Sequence, residues 1–269
     1  MQVQIRAKKT FLVVLFLLCA LLSLNASRFK SSTALDLSLS LGSVGLVGGN
    51  FVWEKARVGV AYNGVPETAL EDLNFLDKGA VFEYNATLDK ISTLSTVALL
   101  LSPGFLAFTG CEGDTLFTYG LMYAEAIAMT YGLKELCKNL VTRERPYLYF
   151  DGYPTEELSN GDYCRSFLSG HTALAFASAT YLTTVLSTDY KSSGFRIPVI
   201  AASYAVATAI ASARVLSGNH YITDVLAGAL LGSLCGVTVP LLHTLGNSDE
   251  DSTVSVHLIP AGLYVGVRV

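Results

Sequence analysis

Five apolar stretches, each long enough to be a helix, divide the chain between residues 91 and 245. Ile91–Cys111 carries no charge and contains Pro103-Gly104, which predicts a kink. Thr115–Leu133 has Glu125 as its one charged residue, and His171–Thr188, Ile197–Ala213 and Val225–Leu245 contain no Asp, Glu, Lys or Arg. Lengths of roughly 17–21 residues suit membrane-spanning helices, although the shortest also suit core helices of a soluble bundle. Within the last stretch Gly228, Gly232 and Gly236 recur every fourth residue, a spacing that lets two helices approach closely. Upstream, Leu37–Trp53 begins with a strand-like Leu-Ser alternation and is then loosened by Gly42, Gly45, Gly48 and Gly49, so a short glycine-rich helix is expected there. Thr253–Val269 alternates around Pro260-Ala261-Gly262 as a small hairpin would. The expected fold is therefore all-α, a membrane-embedded helical bundle with a small C-terminal β-hairpin. Its segments are 1–26, an N-terminal segment 27–90, a helical core 91–245 and a tail 246–269.

Composition sharpens that picture. Hydrophobic residues make up 51% of the chain and charged residues only 15%, against about 25% charged in an average soluble domain. A net charge of -4 leaves no basic face for nucleic acid. Arg6, Lys8 and Lys9 precede an apolar run from Phe11 to Leu24 that ends in Asn25-Ala26-Ser27. That is the layout of a secretory signal peptide, with an uncleaved anchor as the alternative. The cysteines show no C-x-x-C spacing, so no zinc site is expected from them; Cys137 and Cys164 are either a pair or two separate thiols.

Orientation depends on the first candidate helix. With five crossings after residue 90, the loops that follow the second and fourth helices lie on the side of the residues preceding Ile91. If Leu37–Trp53 does not cross, those loops face outward, which is the expected arrangement for an envelope protein; if it does, they face the cytosol. An exported soluble or surface-bound bundle is the alternative.

The polar stations between the apolar stretches carry the chemistry. Lys138 and Arg145-Pro146 form K-x6-R-P, Leu168-Ser169-Gly170-His171 opens the third stretch, and Arg214, His220 and Asp224 form R-x5-H-x3-D. A phosphoryl group in transfer spreads negative charge over three oxygens. Lys138, Arg145 and Arg214 are the cations to meet it, and arginine's planar fork suits phosphate well. Ser169, Gly170 and the start of the helix at His171 form an anion-binding helix N-terminus. His220 and Asp224, four apart, share a helical face, so the carboxylate can hold one ring nitrogen and leave the other for phosphorus. His171 is placed to protonate the departing oxygen. Singly, each element has a plainer reading: a solvated cation, a turn, a surface pair. Together, in order and at the ends of apolar helices, they point to catalysis. Glu125 reads equally as a functional group in lipid or as the partner of a cation. His243 and His257 read as ordinary surface or loop residues, and Asn85-Ala86-Thr87 as a chance glycosylation match.

This three-part pattern resembles the type 2 phosphatidic acid phosphatase superfamily, which includes vanadium haloperoxidases and bacterial non-specific acid phosphatases. The resemblance runs from about Ile91 to Leu245. It implies a metal-independent phosphoric monoester hydrolase acting through a phosphohistidine on His220, with Asp224 as its partner and His171 as general acid. Lys138, Arg145, Ser169, Gly170 and Arg214 would cradle phosphate. No cofactor is implied, and vanadate is expected to inhibit. The expected partners are a phosphorylated lipid or another phosphomonoester, and the membrane. Leu168 stands where the family usually has proline and Ala213 where it usually has serine. Alternative functions are vanadate-dependent halide oxidation and binding of a lipid phosphate without turnover.

Overall fold

The computed structural model describes residues 27–56, 62, 64, 66–155, 158 and 160–245, together with the backbone of 253–259 and 262–268; the basic-apolar leader lies outside the described residues. Six long helices carry the architecture: α1 (Thr33–Ala56), α2 (Ala86–Leu101), α3 (Gly113–Leu140), α4 (Gly170–Asp189), α5 (Arg196–Leu216) and α6 (Ile222–Leu245). At Pro103, which has no N–H to continue the ladder, α2 tightens into a 3-10 turn over Ser102–Phe108. Asn85 caps α2 by accepting a hydrogen bond from the Leu88 N–H at 3.0 Å.

The expected short helix near the N-terminus is in fact the 24-residue α1. The Leu-Ser alternation that resembled a strand instead lies on a helix whose Leu37, Leu41, Val44, Phe51 and Val52 are exposed. Its inward face docks on α3. Asn50 donates to the Gly132 carbonyl at 2.9 Å and accepts from Asn139 at 3.0 Å. Gly132 makes room for this approach, since a Cβ there would stand 2.8 Å from the Leu46 Cβ.

Helix α4 is the hub and packs against α2, α3, α5 and α6. Ala173, Ala175, Ala177 and Ala179 are fully buried in it. The tightest seam joins α4 to α6: Cβ atoms placed on Gly228, Gly232 and Gly236 would stand 2.6, 2.0 and 2.5 Å from the carbonyl oxygens of Ser169, Ala173 and Ala177. Among the described residues, four helices are long and apolar enough to cross a membrane: Thr33–Glu54, Ala86–Phe108, Arg196–Leu216 and Ile222–Thr244. The stretches corresponding to α3 and α4, expected to span, are not among them. Buried against neighbours, they carry hydroxyls satisfied inside the bundle, such as Ser178 with Tyr123 at 2.8 Å and Thr180 with Tyr204 at 2.9 Å. Leu94, Val97, Leu101, Ile197, Val206, Leu226, Leu230 and Leu234 face outward. Such a large apolar surface is what a bundle presents to lipid.

Candidate active site

Alternating helix directions bring the C-terminal ends of α3 and α5 together with the N-terminal ends of α4 and α6. Lys138 lies in the last turn of α3, Arg214 in the last turn of α5, Ser169 at the N-cap of α4 and Asp224 in the first turn of α6. Arg145 and His220 come from the intervening loops. Arg145, Ser169, Gly170, Arg214, His220 and Asp224 are buried, while Lys138 and His171 are half-buried. Burial and the positive charges of Arg145, Arg214 and Lys138 hold the His220 pKa well below the ordinary imidazole value. All seven charged or nucleophilic positions singled out above thus converge on one end of the bundle.

The pairing inside the cluster differs from the simple expectation for His220 and Asp224. The His220 Nδ1 bonds to the Ser166 carbonyl at 2.8 Å, whereas the nearest Asp224 oxygen lies 3.7 Å away, beyond hydrogen-bond range. A carbonyl can only accept, so Nδ1 carries the proton and the Nε2 lone pair is left for chemistry. Asp224 acts one step removed. Its Oδ2 accepts from the Ser166 hydroxyl at 2.5 Å and from the Tyr221 N–H at 3.0 Å, and its Oδ1 pairs with Arg143. Asp224 therefore positions the loop whose carbonyl holds the imidazole.

Arg143 was not singled out from sequence, although it lies two residues before Arg145. Its guanidinium joins Asp224 to Asp77, 2.6 Å away, and stacks 4.1 Å from the centre of the Tyr221 ring. Asp77, from the one-turn helix Phe75–Lys78, accepts from the Thr223 N–H at 2.9 Å and hydroxyl at 2.7 Å. Burial alone would raise its pKa, but those bonds and Arg143 bring it below the usual carboxylate range. No local motif signals this partnership, because Asp77 sits far away in sequence.

The phosphate-binding candidates are held in place by neighbours. Arg145 donates to the Asn219 side-chain oxygen at 2.9 Å and to the Asp162 carbonyl at 3.0 Å, and pairs with the Asp162 carboxylate. Arg145 and Lys138 outweigh the effect of burial on Asp162 and keep it ionised. Arg214 pairs with Asp89 from the first turn of α2. The Ser169 hydroxyl meets Thr172 at 2.9 Å, and His171 Nε2 lies 3.3 Å from the Thr93 hydroxyl. A Cβ on Gly170 would stand 2.9 Å from the Lys134 side chain, a flexible group that could move aside. Gly218 (φ 72°) lies in the left-handed region, where a Cβ would also meet the Phe82 carbonyl at 2.5 Å. No disulfide joins Cys137 to Cys164.

Residues 119–246, which contain every one of these helix ends except those of α2, match the model of the PAP2 superfamily. This region belongs to the PAP2 superfamily. A lipid A 1-phosphatase of Porphyromonas gingivalis is 29% identical over 171 residues, which is 62% of this chain and 32% of that protein. The chain thus spans about a third of the length of that curated relative. Among solved structures, Aquifex aeolicus LpxE is 23% identical, covering 64% of this chain and 98% of its own, with a TM-score of 0.40. A transmembrane PAP2-type phosphatidylglycerolphosphate phosphatase of Bacillus subtilis is 22% identical, covering 74% and 94%, with a TM-score of 0.42. The PAP2 region begins inside α3, so Asp77, Asp89 and Thr93, which contact its polar residues, lie outside the matched span.

Proposed function

We propose that this chain is a metal-independent phosphatase that removes a phosphate group from a membrane lipid, with His220 as nucleophile. The observation that carries the reading is the state of His220: buried, neutral, its Nδ1–H held by the Ser166 carbonyl, and surrounded by Arg145, Arg214 and Lys138. A neutral imidazole with a free Nε2 lone pair is a nucleophile, and three cations stabilise the charge that develops on the phosphoryl oxygens. Attack by Nε2 on phosphorus forms the N–P bond while the P–O bond to the lipid breaks, and His171 donates a proton to the departing oxygen. Water then hydrolyses the phosphohistidine, releasing phosphate and restoring His220. Asp89 and Asp162 hold two of the guanidinium groups in place and must give way, in part, to substrate. The lipid A 1-phosphatase relative makes a lipid-borne phosphate the substrate class of choice.

The site faces outward in this reading. Ser27 and the pocket end lie at opposite ends of α1, so with Thr33–Glu54 as a crossing an outward site requires Ser27 on the cytosolic side, a departure from the cytosol-facing loops expected above for such a crossing. Arg28 and Lys30 on that side agree with such an orientation. Protein in detergent, assayed with chelator against lipid A phosphate, phosphatidate, an isoprenyl diphosphate and a soluble phosphomonoester, should release phosphate and be inhibited by vanadate. Loss of activity with chelator and recovery with a divalent ion, under conditions where the chelator leaves Tm unchanged, would overturn the mechanism.

A further inference from the structure

A second buried polar cluster lies far from the active site. Asp36 of α1, Glu125 of α3 and His243 of α6 bring one oxygen, one oxygen and one ring nitrogen within 4.8 Å of one another. Glu125 is 3% exposed and His243 1%, so His243 is no surface residue. The His243 Nδ1 lies 3.0 Å from the Val239 carbonyl, which fixes the proton there. Its Nε2 then faces the Asp36 Oδ1 at 3.0 Å and the Glu125 Oε2 at 3.4 Å. The outer oxygens of both carboxylates are taken by hydroxyls, Ser31 on Asp36 and Ser40, at 3.3 Å, on Glu125. Glu125 Oε2 has no hydrogen-bond partner.

For a neutral imidazole three acceptors converge with no donor among them, whereas an imidazolium would donate from Nε2 to Asp36 across the same 3.0 Å. Two carboxylates and a neutral imidazole carry a charge of about −2 between apolar helices, and a buried charge of that size requires compensation. An imidazolium would offset half of it. A divalent cation offsets all of it and uses the three lone pairs at once. Ligand bonds of about 2.0–2.2 Å in a tetrahedron place neighbouring donor atoms roughly 3.3–3.6 Å apart, close to the 3.0 and 3.4 Å that separate the imidazole nitrogen from the two carboxylates. The Nδ1–H to carbonyl bond is the outer contact that orients histidines on metals.

We propose that Asp36, Glu125 and His243 bind a divalent transition-metal ion such as zinc, which ties α1 to α3 and α6. The site is structural. Glu125 and Lys138 are separated along α3 by about 20 Å at 1.5 Å per residue, so the ion plays no part in phosphoryl transfer. The proposal stands whether or not the phosphatase reading does. Full-length protein purified in detergent through a histidine-free tag, incubated with zinc and desalted, tests it by elemental analysis. One equivalent per chain is expected in wild type and in His220→Ala, and less than a tenth of that in Glu125→Gln and His243→Ala. Chelation of wild type, which needs no variant to fold, should lower Tm by several degrees, with recovery on adding zinc. Cobalt in its place should give a visible absorption band that Glu125→Gln abolishes. Wild type that retains no zinc and whose Tm ignores chelator would overturn the proposal, as would full zinc content in both variants; the cluster would then be an imidazolium between two carboxylates.

Discussion

The α4–α6 seam and helix α1 both contain rows of glycine, and they use them in opposite ways. Along the seam, Gly228, Gly232 and Gly236 lie so close to α4 that no Cβ fits. On α1, Gly42, Gly45, Gly48 and Gly49 have nothing within 4 Å of where a Cβ would be. The seam carries Ser169 and His171 at one helix start and Asp224 at the other, while α1 contributes none of the proposed catalytic residues. Close backbone packing, rather than apolar area, is what fixes the active-site helix ends relative to one another. The outer face of α1 is apolar and exposed, and its anchoring is polar: Asn50 at one end, Asp36 and Ser40 at the other. The comparison separates two kinds of glycine that are indistinguishable in the sequence.

The largest expected effect lies at the seam's catalytic end. His220→Ala removes the proposed nucleophile, so turnover and any acid-labile phosphoprotein should fall below detection while the protein still folds. Near wild-type phosphate release by this variant would detach the seam from catalysis altogether. His171→Ala tests the opposite helix start. General acid assistance contributes about 10²–10⁴-fold, and a good leaving group needs less of it. The variant should therefore lose much more activity on an alkyl phosphate than on p-nitrophenyl phosphate. Equal fractional losses on both would assign His171 to binding.

Much of this was legible from the chain because it depends on short spacings. The four-residue glycine period, the K-x6-R-P and R-x5-H-x3-D intervals and the uncharged runs each place residues on one helix or at its end. What stayed hidden depends on contacts across the fold. Asp77 reaches Arg143 and Thr223 from a separate loop, and His243 finds Asp36 and Glu125 on two other helices. Periodicity put His220 and Asp224 on one face but could not show that the Ser166 carbonyl, closer by about an ångström, takes the ring N–H. The length of α1 was obscured because Leu-Ser alternation has a two-residue period, and exposure to lipid relaxes the polar-outside pattern on which helix recognition rests.

Next in size is a wedge in the seam. At Gly232 even an alanine Cβ would stand 2.0 Å from the Ala173 carbonyl, a backbone atom that cannot rotate away. Gly232→Val should therefore separate α4 from α6, at a cost of about 1–3 kcal/mol or more for overpacking, with Tm and activity falling together. Retention of both would show that the seam is softer than its backbone contacts imply.

The smallest effect is expected on α1, and it has the opposite sign. Gly48 lies mid-helix, exposed, with open space where a Cβ would go. Its φ is not in the left-handed region, so alanine can adopt the same conformation. Glycine inside a helix costs roughly 0.5–1 kcal/mol relative to alanine, because the unfolded chain has more conformations to lose. Gly48→Ala should raise Tm slightly in detergent and leave phosphate release unchanged, since no proposed catalytic residue touches α1. The measurement is a paired thermal melt and initial rate for Gly48→Ala beside Gly232→Ala. A fall in Tm for Gly48→Ala would mean that this face of α1 packs against another protein surface, and the contrast between the two glycine rows would then be one of partner rather than of packing.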